Sequence, residues 1–410
     1  MTALNISKIR NDFPVLHQQK NDKPIVYLDN ACMSLRPTAV IDTIKQYYLE
    51  FSACGGRTIH KLGMAVTEGV ESARKKVMNF INAKKSSECI FTGNTTNGIN
   101  IVAMGLGLSK GDLVISEDYA HNSNVIPWQM LKRQNGIIHH LLETGSDALF
   151  TIETLDTMLR KSQASKKLVS LCHVSNVTGY AIPAKEIIKV AHDHDALVLL
   201  DSAQSVPHQP VDVQKLDVDF LAFSIHKMCG PSGIGVLYGK EEFLETLTPR
   251  LVGGGTVVNV TEEGPEFAKT PDRFEAGLQN YAGIIATGTT IDYLQNLGME
   301  NIHRYEKTLA KYLFIGLKEL NLPLKTLGPQ NPAKREGLAA IAFDNINAHD
   351  IAMLLDEENI FTRSGTHCTH LWHNKLGINA TLRPSLYFYN TKQEIQFFLD
   401  TLEKSVKIFL

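Results

Sequence analysis

The sequence has no excess of either charge: 41 lysines and arginines stand against 43 aspartates and glutamates, a formal net charge of −2 over 410 residues. A chain so balanced has no electrostatic footprint for nucleic acid or for an anionic membrane surface, and neither is expected as a partner. Its apolar runs are short and interrupted, so no bilayer-spanning helix is expected. Cysteine is scarce. Six are scattered along the chain (Cys32, Cys54, Cys89, Cys172, Cys229, Cys368) without a C-x-x-C pair, which argues against a disulfide scaffold and for free thiols in a reducing cytoplasm. The opening stretch "MTALNISKIRNDFPVL" lacks the basic head and apolar block of a secretory signal and reads as a short amphipathic helix. Tandem repeats and low-complexity segments are absent too. What remains is ordinary globular composition, 43% hydrophobic, in a chain long enough for more than one core.

Past the N-terminal helix, "PIVYLDNA" reads as an extended segment, and "AVTEGVESARKKVMNFINA" has Val66, Val70, Ala73, Val77 and Ile81 at helical spacing. Then "DLVIS", "GIIHHL", "KLVSLCHV", "LVLLD", "DFLAFS" and "GVLYG", short and aliphatic, alternate with helical stretches such as "AKEIIKVAHDHDA". That alternation predicts an α/β fold with a mainly parallel sheet covered on both faces. From about Phe274 the pattern changes to long helices with "GLAAIAFDN", "NIFTRSG" and "SLYFYN" between them, which predicts a smaller α+β domain. The expected division is an N-terminal segment over 1–25 packing with the small domain, a large domain over 26–285, and a small C-terminal domain over 286–410.

In a parallel sheet, ligand-binding groups gather at the carboxyl ends of the strands. Asp201 ends "LVLLD", Asn176 follows "LVSLCHV", and Ser224, His226 and Lys227 follow "DFLAF". An acid, a lysine, a hydroxyl and an amide on one rim suit pyridoxal phosphate. The lysine amine forms a Schiff base with the aldehyde, and the aspartate keeps the pyridine nitrogen protonated so that the ring becomes a better electron sink. "TGNTTNGINIV" offers turn residues, Thr95, Thr96 and then a helix start, which suits phosphate. Each piece alone has an ordinary reading: a strand-end Asp as a cap, a loop Lys as solvated, "GNTTNG" as a plain turn. Their order on alternating strands is what joins them.

Together these residues resemble the aminotransferase class V branch of the fold-type I pyridoxal phosphate enzymes, and within it the group II (Suf-type) cysteine desulfurases. The landmarks are "VYLDNA", "NVIPWQML", "HVSNVTG", "DSAQSVPHQPVDV", "FSIHKMCGPSGIGVLYGK", "RFEAGLQNYAGI", "RSGTHC" and "LRPSLYFYNT". The resemblance implies a seven-stranded, mainly parallel large-domain sheet, a homodimer, and conversion of L-cysteine to L-alanine. Its sulfur would pass to an acceptor protein for iron–sulfur assembly or thiolation. It implies that Lys227 carries the cofactor, Asp201 partners the pyridine nitrogen, Gln204 lies near the ring hydroxyl, and His121 stacks on the ring. Thr95, Thr96, Ser224 and His226 are implied phosphate contacts. Asn176 and Arg383 are implied to hold the substrate carboxylate, and Cys368 to take the sulfur, with Arg363 opening its motif.

The chemistry is coherent on its own terms. Only a thiolate attacks sulfur well near neutral pH, and His367, Arg363 and His370 around Cys368 are groups able to favour the anion. "HCTHLWH" also offers His367, Cys368, His370 and His373 to zinc, but the spacing matches no standard zinc signature, and no metal is expected. The remaining cysteines read as buried small apolar residues, and Trp128 and Trp372 as packing or cleft-wall residues. Several positions depart from the family pattern. Gly93 and Asn97 replace an Arg–Glu pair in the phosphate turn, and Ala120 a glutamate. Ser202 and Ile225 replace glycines, Thr366 replaces a histidine, and Leu278 a threonine that reaches the neighbouring subunit's phosphate. Selenocysteine lyase, another class V lyase or aminotransferase, and a non-catalytic scaffold with a metal or thiol site are the alternatives. Lys227 with Asp201 argues against the scaffold.

Overall fold

The computed structural model describes residues 4–20 and 23–410. The N-terminal helix runs over Ile6–Arg10 and is followed by a single 3-10 turn, Pro14–His17. The first three residues of the helix expected there lie outside the described residues. Ile9, Phe13 and Leu16 form its buried face, and Phe13 packs on the rings of Tyr293, Phe388 and Tyr389.

The seven-stranded sheet implied by the resemblance is present. Its order is Cys89–Thr92, Gly235–Gly239, Phe220–Ser224, Ala196–Asp201, Lys167–Cys172, Leu113–Glu117, Ile138–Leu142. Gly235–Gly239 runs antiparallel to both its neighbours, and the remaining pairings are parallel. Apart from the edge strand Ile138–Leu142, the strands are buried on both faces, and side chains alternate between two cores. Leu199, Phe220, Ala222 and Leu237 face one, with Ile99, Val102 and Trp128. Leu200, Leu221, Phe223 and Val236 face the other, with Ile187, Ile188 and Ile284. Each buried aliphatic or phenyl group contributes roughly 1.5–3 kcal/mol. A slip of one residue would exchange the faces along a whole strand, so register is firmly set. That register places Asp201 opposite both Cys172 and Ala222, with Ser224 two residues beyond, on one rim.

The first strand, Cys89–Thr92, was not legible as one. It is four residues long and squeezed between the turn Ser86–Glu88 and the polar "GNTT". The hairpin Val257–Thr261/Gly264–Phe267 is not legible either, because it is largely exposed and contains Pro265 and a turn of two glutamates, Glu262 and Glu263.

A second, antiparallel sheet has the order Leu324–Leu327, Ala340–Phe343, Thr381–Arg383, Arg363–Gly365. Its own core joins Ile341 and Leu382 to Leu313, Leu317, Ile351, Phe398 and Leu402 from three helices. The segment "PIVYLDNA" yields only a two-residue strand, Val26–Tyr27, paired in parallel with Ile360–Phe361. Asp29 then bridges to Ser385. The early segment is thus carried to the small sheet, and Ala31 and Cys32 with it. The helix Tyr281–Leu297 is continuous across positions 285 and 286. No helix among the described residues is long and apolar enough to cross a membrane.

Candidate active site

A cavity of about 290 Å³ opens where the rim of the large sheet meets the small one. The candidate cofactor, substrate and nucleophile residues named from the sequence line it: Thr95, Thr96, His121, Asn176, Asp201, Gln204, Ser224, His226, Lys227, Arg363, Cys368 and Arg383, while His370 and His373 do not. Lys227 closes the 3-10 turn Ile225–Lys227 that follows the strand Phe220–Ser224. Burial lowers its ammonium from the usual lysine range, and Asp201 partly offsets this. Asp201 is raised, first by burial, with Lys227 and the Ala203 N–H (3.1 Å) pulling the other way. The pair is therefore electrostatically linked at a dry rim, where each group's charge depends on the other.

The phosphate turn is built by close backbone approach. A Cβ at Gly235 would lie 2.6 Å from the Asn94 backbone, and one at Gly98 only 3.2 Å from the Ala222 Cβ. These two glycines let the helix Thr95–Gly105 sit down on the sheet with its N-terminus at the rim. Ser224 Oγ accepts from the Thr95 N–H at 2.8 Å and shares a hydrogen bond with its hydroxyl at 2.6 Å. In place of a charge pair, Asn97 Oδ1 accepts from the Gly93 N–H at 3.1 Å while Asn94 caps the Asn97 N–H. The turn is thus closed by neutral hydrogen bonds. His121 Nδ1 accepts from the Ser123 N–H at 3.1 Å, which places the ring proton on Nε2. Burial, then Lys227 and Arg383, hold its pKa down to about 3, so the ring is neutral.

The other wall comes from the small sheet. Arg383 and Arg363 are register partners on adjacent strands. Both reach Asp29, at 3.4 Å and 3.2 Å. Buried Arg383 also donates to the Asn176 carbonyl at 3.0 Å, and its Nε has no partner. Asn176 donates to the His367 carbonyl at 2.8 Å, leaving its Oδ1 unpartnered. Cys368 is exposed at the cavity mouth. It and His367 both have left-handed backbone, with φ of 59° and 52°. Such residues cost of order 1–3 kcal/mol each and persist where surroundings hold them. Here the Asn122 N–H grips the Cys368 carbonyl at 2.6 Å.

His367 corrects the sequence reading. His367 is buried, its Nε2 turned to Thr381, and burial followed by Arg383 drives its pKa to about 2. It is neutral and no source of positive charge. His370 Nδ1 faces the Asn122 amide at 2.9 Å and its Nε2 the Thr366 hydroxyl at 3.1 Å. His373 is buried against Thr369 and Thr381. Of that set, His367 contributes no charge, and Arg363 is a cation paired with Asp29. The cysteine reading is also corrected: Cys89, Cys172 and Cys229 are buried, but Cys54 is exposed and Cys32 is partly exposed and lines the cavity. Trp128 and Trp372 are fully buried packing residues. Leu278, 77% exposed, lies outside this cavity and lines a second one of about 660 Å³ with Gly277, Gly254 and Val258.

Sequence reasoning missed Asp29, Cys32, Asn122 and Ser123. Asp29 and Cys32 lie within or beside the quoted "VYLDNA", and Asn122 and Ser123 within "DYAHNSN", but their partners are more than 200 residues away or depend on the turn.

These residues fit pyridoxal phosphate. Hydroxyls and a helix start stand ready for phosphate, a lysine and an aspartate share one rim, and buried Asn176 Oδ1 and Gln204 Oε1 have no protein partner. The aminotransferase class-V profile matches residues 26–398. The chain belongs to the aminotransferase class-V family. Within that family it is a pyridoxal phosphate-dependent cysteine desulfurase, as its relatives show. It is 41% identical to a probable cysteine desulfurase of Synechocystis sp., covering 100% of this chain and 98% of that one. It is 39% identical to the cysteine desulfurase of an Escherichia coli strain, over 98% of each. The cysteine desulfurase structure from Thermococcus onnurineus superposes with a TM-score of 0.93 at 37% identity, covering 99% of this chain and 100% of that one.

Proposed function

We propose that Lys227 is the covalent anchor of pyridoxal phosphate and that Cys368 receives the sulfur of L-cysteine as a persulfide. The supporting observation is that Lys227, Asp201, Arg383 and Cys368 line one cavity although they come from two sheets. Thr95, Thr96, Ser224 and His226 hold the phosphate, His121 covers the ring, and Asp201 and Gln204 address its nitrogen and hydroxyl. Pyridoxal phosphate, when bound, supplies an aldehyde for the substrate amine and an electron sink that labilises the bonds at Cα and weakens Cβ–S. Arg383, with Asn176 and Arg363, orients the substrate carboxylate. The Lys227 amine, kept easy to deprotonate by burial, takes the proton from the substrate Cα. Cys368 Sγ attacks the substrate sulfur. The S–S bond forms as Cβ–S breaks, and alanine leaves after Cβ is protonated. His367 and Cys368, pinned through their carbonyls by Asn176 and Asn122, present the thiol at the mouth, where an acceptor protein can reach it.

The Suf-type assignment, a large domain over 26–285 with the small one over 286–410, and a sulfur acceptor in iron–sulfur assembly or thiolation belong to the same reading. So does a cytoplasmic homodimer. Exposed Leu278 and Val258 around the second cavity support a surface for a second copy. The test is to incubate the holoenzyme with L-cysteine and to measure alanine and protein persulfide together, mapping the borohydride-reduced cofactor adduct in parallel. The adduct should lie on Lys227. Cys368→Ser should retain it while losing persulfide and nearly all alanine. An adduct on another lysine, or full alanine production by Cys368→Ser, would refute the assignment.

A further inference from the structure

Three cysteines line the cavity: Cys32, Cys172 and Cys368. Their surroundings separate them. Cys172 is buried with Ala120 and Val125, and burial beside Glu117 and Asp201 pushes its thiol well up. Cys89 and Cys229 belong to the main apolar core. Cys32 belongs to no apolar cluster among the described residues and is partly exposed to the cavity.

Its position is fastened to the cysteine loop. The Cys32 N–H donates to the Asp29 carbonyl at 3.1 Å. The Asp29 carboxylate holds Arg363 and Arg383, and the strand Arg363–Gly365 leads three residues later to Cys368. Lys227, Arg363 and Arg383 line the same cavity as Cys32. The thiolate is the attacking species in exchange at sulfur. Arg383 Nε and Asn176 Oδ1, both buried, both without partners and both on residues lining the same cavity, mark it as a place built for a ligand.

Resting on the reading of Cys368 as the nucleophile, we propose that Cys32 is a second sulfur-holding position, taking the outer sulfur from a Cys368 persulfide and keeping it inside the cavity. The Cys32 thiolate attacks the terminal sulfur of Cys368–S–SH. The S–S bond on Cys368 breaks, a new one forms on Cys32, Cys368 departs as the thiolate, and the hydrogen travels with the transferred sulfur. One persulfide is exchanged for another, so no outside oxidant or reductant is required. Cys368 is then free to accept a second sulfur while the first waits.

The holoenzyme is incubated with L-cysteine without an acceptor protein or reductant, then quenched by alkylation. Peptide mapping locates the persulfides and cyanolysis counts them. The expected result is persulfide on both Cys32 and Cys368 and none on Cys172, with roughly two sulfane sulfurs per chain. Cys32→Ala should fall to about one, on Cys368 alone. Cys368→Ser should leave Cys32 bare. Exposed Cys54, outside the cavity, reports sulfur transfer through solution. A wild type with Cys368 loaded and Cys32 bare overturns the relay and spares the parent assignment. So does persulfide on Cys32 in Cys368→Ser that is absent from Cys54, or equal labelling of Cys54 and Cys32. A wild type that makes alanine without loading Cys368 overturns the parent assignment and the relay with it.

Discussion

Arg383→Lys tests the substrate end of the cavity. The guanidinium is buried and already committed at two nitrogens, to the Asn176 carbonyl at 3.0 Å and to Asp29 at 3.4 Å. Its Nε is the buried donor left without an acceptor. A carboxylate delivered to that donor gains a charge-assisted hydrogen bond, which a lysine in the same place cannot supply in the same planar geometry. One such bond is worth about 1.5–3 kcal/mol, or roughly a 10- to 150-fold loss of cysteine binding. The assay follows the absorbance of the cofactor while L-cysteine is titrated, with cysteamine, which has no carboxylate, as the control. Cysteine affinity should drop by that factor, cysteamine affinity should stay within about twofold, and cofactor loading should be unchanged. An equal loss for the two amines would show that Arg383 shapes the cavity generally and does not read the carboxylate.

Glu275→Gln should cost about 3–5 kcal/mol, because buried Arg74 would lose its bidentate carboxylate and keep only the exposed Glu71 at 3.7 Å as a counter-charge; replacing both residues by Met should restore much of the loss in thermal melts. Asn122→Ala removes the amide that faces His370; it should lower the rate of Cys368 persulfide formation roughly 2- to 10-fold with no change in the cofactor spectrum, measured in a single turnover. Burial holds the His173 ring at a pKa of about 4, below the ordinary histidine value, so its share of stability is full above about pH 6.5 and erodes as pH falls toward 4. That loss is about 2 kcal/mol at pH 5, and His173→Gln should therefore lose less melting temperature between pH 7 and 5 than the wild type, with Glu117 and Glu306 contributing equally to both. Leu278→Asp should move the protein toward monomer in sedimentation, since it charges an exposed apolar residue on the surface proposed for a second copy.

Much of the large sheet and most of the polar residues lining the cavity could be read from the sequence, because aliphatic strands announce themselves and the rim residues follow them directly. Asp201 and Lys227 are such cases: each stands at the end of a buried run. What sequence could not carry was orientation. His367 looks like a cation beside a thiol, yet its ring is buried on Thr381 and stays neutral. Cys32 looked like filler because nothing in "DNACMS" indicates that Asp29 would be drawn to Arg363 and Arg383, more than 330 residues away. The strand Cys89–Thr92 is too short for periodicity to declare, and its place is fixed by pairing with Gly235–Gly239.

The two walls of the cavity hang from different sheets, with separate cores. Lys227, Asp201, Ser224 and Thr95 belong to one; Arg383, Arg363 and the Cys368 loop belong to the other. With the roles proposed above, activation of an amino acid and disposal of what is broken off it are carried on separable pieces of architecture. Changes confined to the small sheet can alter which amino acid is accepted, or where its sulfur goes, without disturbing the machinery that makes the bond labile. Changes at the large-sheet rim have no such latitude, because every reaction the scaffold supports must pass through it.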